Sequence, residues 1–153
     1  MRRYAGGCHC GALALVFETE RDPGEIAVRA CQCSFCRKHA TRAITDPGGR
    51  ITLGLIVPDA VSRYSFGLGT ADYYLCARCG VYVAAVARAE PPTAIAILNA
   101  LDEAGAFVAP PRPTVYDEET ADMRRDRRAR SWTPARILGA DDFSSFRKGG
   151  AAL

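Results

Sequence analysis

Cys76-Ala77-Arg78-Cys79-Gly80 is the stretch on which the fold turns. A C-x-x-C pair closed by glycine has the shape of a zinc knuckle. The tight turn aims backbone N–H groups at two thiolate sulfurs, and glycine tolerates the left-handed backbone that follows. Cys8-His9-Cys10-Gly11 repeats the trailing glycine on a narrower spacing. Together the two pairs supply four thiolates, the donor set of a closed tetrahedral metal site with no vacancy for water, and hence of a structural one. Such a site would pin the first strand to the strand that begins at Val81. Either pair alone could equally be a redox or buried thiol pair; their recurrence in one short chain favours metal.

A third cluster, Cys31-Gln32-Cys33-Ser34-Phe35-Cys36, offers three thiolates and leaves a zinc ion one ligand short. An open position of that kind is what catalytic zinc sites keep for water or substrate. Arg37 and Lys38 follow at once; their charge would offset the thiolates and attract an anionic substrate, or they form a solvated basic turn. His39, three residues after Cys36, is either a fourth ligand or a nearby donor. His9, between two cysteines on an extended segment, points away from the metal that they would share.

The rest of the chain bounds these readings. Its 153 residues, 48% hydrophobic and 24% charged, suit one globular domain. A net charge of +3 decides nothing about partners. No apolar run approaches the roughly 20 residues of a spanning helix, so no membrane role is expected. Seven cysteines cannot all pair as disulfides, and all of them fall in the three clusters. With no signal-peptide pattern at the N-terminus, a cytoplasmic protein is expected. Strands are predicted over Leu13–Glu18, Glu25–Ala30, Arg50–Val57, Val81–Ala87 and Thr93–Asn99. A hairpin is predicted from Val61–Phe66 and Asp72–Leu75 around Gly67-Leu68-Gly69. After Pro110, Pro111 and Pro113 comes a charged helix over Glu118–Arg130, stopped at Trp132-Thr133-Pro134, with Gly149–Leu153 frayed. The layout is a single zinc-binding domain over 1–153, with a core at 5–116 and a C-terminal helical extension at 117–153.

The three cysteine blocks, Gly7-Cys8-His9-Cys10-Gly11-Ala12, Cys31-Gln32-Cys33-Ser34-Phe35-Cys36-Arg37-Lys38 and Cys76-Ala77-Arg78-Cys79-Gly80-Val81, resemble the signatures of the glutathione-dependent formaldehyde-activating enzyme family, which includes the centromere protein V group. The resemblance extends from about Gly7 to Asp102 and takes in Tyr64-x-Phe66-Gly67 and Asn99-x-Leu101-Asp102. It implies a mainly β, Mss4-like fold of twisted antiparallel sheets with a short C-terminal helix. It also implies structural zinc on Cys8, Cys10, Cys76 and Cys79, and catalytic zinc at Cys31, Cys33 and Cys36. The family reaction it implies joins formaldehyde to the glutathione thiol, a carbon–sulfur lyase chemistry run in the adduct-forming direction. Arg37 and Lys38 would then meet glutathione. Tyr73 and Tyr74 stand where many members carry a histidine.

Two other classes compete with an enzyme acting on a small thiol and an aldehyde. One is a non-catalytic zinc-stabilised binding module. The other is nucleic-acid binding through Arg124, Arg125, Arg127, Arg128 and Arg130. Their alternation with Asp122 and Asp126 favours a self-compensated solvated helix, so nucleic acid is not expected as a partner. A homodimer is compatible with either of the first two readings. Asp72, Tyr73, Tyr74, His9 and His39 are the candidates for proton transfer.

Overall fold

The computed structural model describes residues 1–149. Short strands dominate: β1 (Arg2–Gly7), β2 (Leu13–Thr19), β3 (Arg29–Cys31), then helix α1 (Ser34–Lys38), β4 (Ala43–Ile44), β5 (Arg50–Leu55), β6 (Val61–Tyr64), β7 (Ala71–Cys76), β8 (Tyr82–Ala87), β9 (Thr93–Ile97) and β10 (Arg112–Thr114). Helix α2 (Ala121–Ser131), β11 (Thr133–Gly139) and α3 (Ala140–Gly149) complete it. The mainly β expectation holds, and the β6–β7 hairpin forms in register from Val61 opposite Cys76 to Tyr64 opposite Tyr73. Its turn uses left-handed Gly67 and Gly69, at φ 60° and 65°. Gly149 closes α3; residues 150–153, also expected to fray, lie outside the described residues.

The sheet is mixed rather than purely antiparallel. Its path runs β1-β2-β5-β11-β9-β4-β3-β10, with β8, β7 and β6 branching from β9. β10 lies parallel to β3, and β11 lies parallel to β5 while its first residues pair antiparallel with β9. The C-terminal segment therefore carries two helices and, between them, a strand in the middle of the sheet. Trp132-Thr133-Pro134 ends α2 as predicted, yet it also opens β11, because Pro134 falls at the strand's start.

β8 is buried at every position and separates two apolar clusters. One side packs Leu15, Phe17, Ile51, Leu53 and Val83; the other packs Tyr82, Ala85, Ile97 and Trp132. On the second side lies the cavity described below. α3 is seated by Phe143, whose ring occupies the space a side chain on Gly54 would need. Among the described residues no helix is long and apolar enough to cross a membrane.

Candidate functional site

The fold brings the first and third cysteine blocks together. The sulfurs of Cys8, Cys10, Cys76 and Cys79 lie within 4.8 Å of one another, although 66 residues separate Cys10 from Cys76. Both knuckles are built alike: the N–H of Cys8 donates to the Leu13 carbonyl at 2.9 Å, and that of Cys76 to the Val81 carbonyl at 3.0 Å. Gly11 and Gly80 turn each loop at φ 83° and 78°, values that disfavour a side chain. Backbone N–H groups point at the sulfurs, from Leu13 to Cys8 at 3.2 Å and from Cys79 to Cys76 at 3.5 Å. Burial pushes the Cys8 thiol up to about 11, while the Val81 N–H draws Cys79 down to about 6. The fit to a metal is in the donors: four convergent sulfurs whose loops already supply thiolate-stabilising N–H groups.

The middle block forms a second group. Cys31 ends β3, Cys33 caps α1 and Cys36 sits buried inside it; the three sulfurs lie within 4.8 Å of one another. The Cys36 N–H donates to the Cys33 sulfur at 3.4 Å, the contact that caps the helix. The Cys36 thiol beside it lowers Cys31 to about 6 against the opposing effect of burial, and the Arg127 guanidinium adds to the lowering. Cys36 moves the other way, held protonated by Cys31 and by burial. Among the described residues no fourth ligand atom joins this trio. His39 instead caps α1, with its ring 4.6 Å from Phe35 and 5.6 Å from Tyr82.

All three cysteines of this trio line one cavity of about 330 Å³, whereas of the quartet Cys8 alone borders a depression. Phe66, Tyr73 and Trp132 give it aromatic walls, and Arg29, Arg124, Arg127 and Arg128 bring guanidinium groups. Arg37 and Lys38 are exposed in the last turn of α1 and are not part of the lining. Tyr73 is the proton-transfer candidate that reaches the cavity; burial holds its hydroxyl up at about 12, so it stays protonated. The others are occupied or elsewhere. Asp72 accepts from Arg88 at 2.6 Å, Tyr74 lies under Arg63, and His9 borders a different depression beside Cys8.

Two of the lesser motifs prove to be braces. Asn99 accepts the Arg42 N–H at 2.8 Å and donates to the Ala40 carbonyl at 3.2 Å, holding the left-handed Ala40 turn behind α1. Tyr64 and Phe66 stack on Phe35 of α1, at 5.7 and 5.2 Å.

Residues 3–118 match the glutathione-dependent formaldehyde-activating enzyme family, three quarters of the chain and all three cysteine blocks. The chain belongs to that family. Members act on glutathione and an aldehyde, and the two cysteine clusters of this one are arranged as sites that could hold metal ions. A crystal structure of a Rhodobacter sphaeroides protein is similar to it, with a TM-score of 0.51 and 27% identity, over 72% of this chain and 99% of that one. More than a quarter of this chain thus has no counterpart there, and the family match itself ends before α2 begins.

The sequence reading missed the four cavity arginines. By charge pattern alone the run from Arg124 to Arg130 reads as one solvated face. The available signal was the spacing of Arg124, Arg127 and Arg128, i, i+3 and i+4 on one side of a helix, with Asp122, Arg125 and Asp126 on the other.

Proposed function

We propose that this protein is a zinc-dependent enzyme of carbon–sulfur lyase type, forming and cleaving adducts between a thiol, glutathione in the first instance, and an aldehyde. The observation that carries the reading is the contrast between the clusters: four sulfurs converge in one, while the other presents three to a cavity large enough for a small organic molecule. Cys8, Cys10, Cys76 and Cys79 would hold a structural ion, and Cys31, Cys33 and Cys36 a catalytic one with a position left for substrate. Zinc at the second site supplies a Lewis acid that favours the thiolate form of a bound thiol and polarises a carbonyl.

The chain's own residues do the rest. The bond made joins the substrate sulfur to the carbonyl carbon, and the carbonyl π pair passes to oxygen, which takes a proton; cleavage is the reverse. Tyr73, protonated and part of the cavity wall, would deliver that proton and recover it from the entering thiol. Phe66, Trp132 and Tyr73 exclude water from the aromatic side of the cavity. The seven cysteines are unpaired, which suits a reducing compartment and supports a cytoplasmic location.

Magnetisation-transfer NMR between an aldehyde and its glutathione hemithioacetal tests this directly. The wild-type protein should accelerate the exchange, and Cys33→Ser should return it to the uncatalysed rate. Equal rates for both proteins and for buffer, across several aldehydes, would leave a zinc-stabilised binding module as the better reading.

A further inference from the structure

α2 lies beyond the residues that match the family, yet it supplies most of the cavity's charge. Its inward face has no large apolar residue; the side chains it turns toward the sheet are Arg124, Arg127 and Arg128, while Met123 is exposed. Burying guanidinium groups is costly unless every donor finds an acceptor. Arg128 is only 5% exposed, and burial pulls it down to about 10. A helix needed merely as a cover would gain more from leucine at these positions.

The acceptors do not go round. Arg127 is the most fully engaged: its Nε and Nη2 donate to the Glu119 carboxylate at 2.9 Å each, and it stacks on Tyr116 at 3.8 Å, leaving only its Nη1 without a hydrogen bond among the described residues. Arg128 spends Nη1 on the carbonyl and hydroxyl of Thr70, at 3.0 and 2.7 Å. Arg124 spends Nη2 on the Tyr116 carbonyl at 2.7 Å. Among the described residues, neither Nη2 of Arg128 nor Nη1 of Arg124 has a hydrogen-bond partner, and the buried Nε of each also lacks a hydrogen bond, that of Arg124 standing 3.9 Å from the Glu119 carboxylate. Arg29 adds another guanidinium from β3, with one bond, to Thr45. Against four guanidinium groups the wall offers two carboxylates, Asp117 and Glu119, and Glu119 is already taken by Arg127.

We propose that α2 makes this cavity a carboxylate-recognition site, with Arg124 and Arg128 as the grip and Arg29 in support. Guanidinium forks match carboxylates in a bidentate manner that no single ammonium reproduces. A carboxylate held there aims the remainder of its molecule at Cys31, Cys33 and Cys36, which line the same cavity. The substrate pair therefore includes an acid, either on the thiol partner or on the aldehyde. This deepens the proposed function and rests on the cavity being the reaction site. Binding and catalysis can nevertheless be read apart.

Isothermal titration of the protein as isolated, with its metal, provides the test. The probes are S-methylglutathione and glyoxylate, which carry the carboxylate on the thiol side and the aldehyde side respectively, each compared with its ethyl ester. At least one acid should bind saturably and its ester about tenfold more weakly or worse, a loss of about 1.4 kcal/mol. Whichever acid shows this identifies the partner that bears the carboxylate. Arg124→Gln should abolish the preference for acid over ester. Arg125→Gln, which removes the same charge from the outward face of α2, should leave it intact. If Arg124→Gln fails to fold, as judged by its melt, Arg124→Lys replaces it and should lose part of the preference because the fork is gone. No binding of either acid, equal binding of acid and ester, or equal effects of the changes at 124 and 125 would overturn the proposal. Acid-selective binding without accelerated adduct exchange would instead refute the catalytic reading and leave this one standing.

Discussion

Replacing Gly54 and Phe143, singly and together, should expose how the C-terminal segment is locked into the sheet. A Cβ built on Gly54 would lie 2.6 Å from Cδ2 and 2.7 Å from Cγ of the Phe143 ring, a separation that real carbon atoms do not adopt. Gly54→Ala must therefore push the ring out, at a cost of about 1–3 kcal/mol. Phe143 is 3% exposed, so Phe143→Ala removes a whole buried ring at about 3–5 kcal/mol. In the double variant the new methyl at 54 enters space the ring has vacated. Its cost should fall short of the sum of the singles by about 1–3 kcal/mol, the range of coupling between touching residues. Guanidinium unfolding at a fixed zinc concentration, with unchanged m values, measures all four corners of the cycle. The functional consequence follows from connectivity: α3 holds β11, β11 follows α2 directly, and α2 roofs the cavity. Additivity within about 0.5 kcal/mol would refute the seating of Phe143 on Gly54 and with it this account of the anchor.

Three further outcomes are expected. Metal analysis should find about two zinc ions per chain, one of them labile to mild chelation; Cys79→Ser should be insoluble or molten, and Cys36→Ser folded. Equal folding of the two variants would overturn the division into structural and catalytic sites. Glu119 is 16% exposed and its carboxyl is held below the ordinary 4.5, first by the bond from Arg127. Glu119→Gln should therefore cost about 2 kcal/mol at pH 7. Because the folded-state pKa is the lower one, the carboxylate's contribution is complete above 4.5 and fades as pH falls through the depressed value. The gap between wild type and Glu119→Gln should close over that acidic range, and a gap independent of pH would refute the ion pair. Finally, Arg124, Arg127 and Arg128 face the cavity, which leaves Arg125 and Arg130 exposed on α2. No nucleic-acid binding is expected at physiological ionic strength, and a filter assay with a steep salt slope would contradict that orientation.

What the chain order alone determined was the chemistry carried by short-range spacing. A C-x-x-C-Gly turn is specified within five residues, because the left-handed glycine and the N–H groups aimed at sulfur are local geometry. The three clusters, the family and the long strands with Gly or Pro at their ends were therefore legible. That four sulfurs would complete a site and three would leave a metal one ligand short was also legible, since donor number limits what each cluster can do; that the three line a cavity was not. The remainder depended on which surfaces meet. β4, β10 and β11 are too short or too irregular to show a period, and exist because a neighbouring strand supplies their hydrogen bonds. Arg37 and Lys38 looked like the substrate's partners because they are adjacent in sequence to Cys36; the last turn of α1 points them to solvent. Arg124, Arg127 and Arg128 looked like a solvated face because charge balance along a helix says nothing about what the helix covers. Only the run of chain from β10 through Tyr116, laying α2 across β3 and the β6–β7 turn, places guanidinium groups next to Cys31. Helix periodicity is encoded in the sequence, whereas the direction in which a helix faces is set by packing between distant segments.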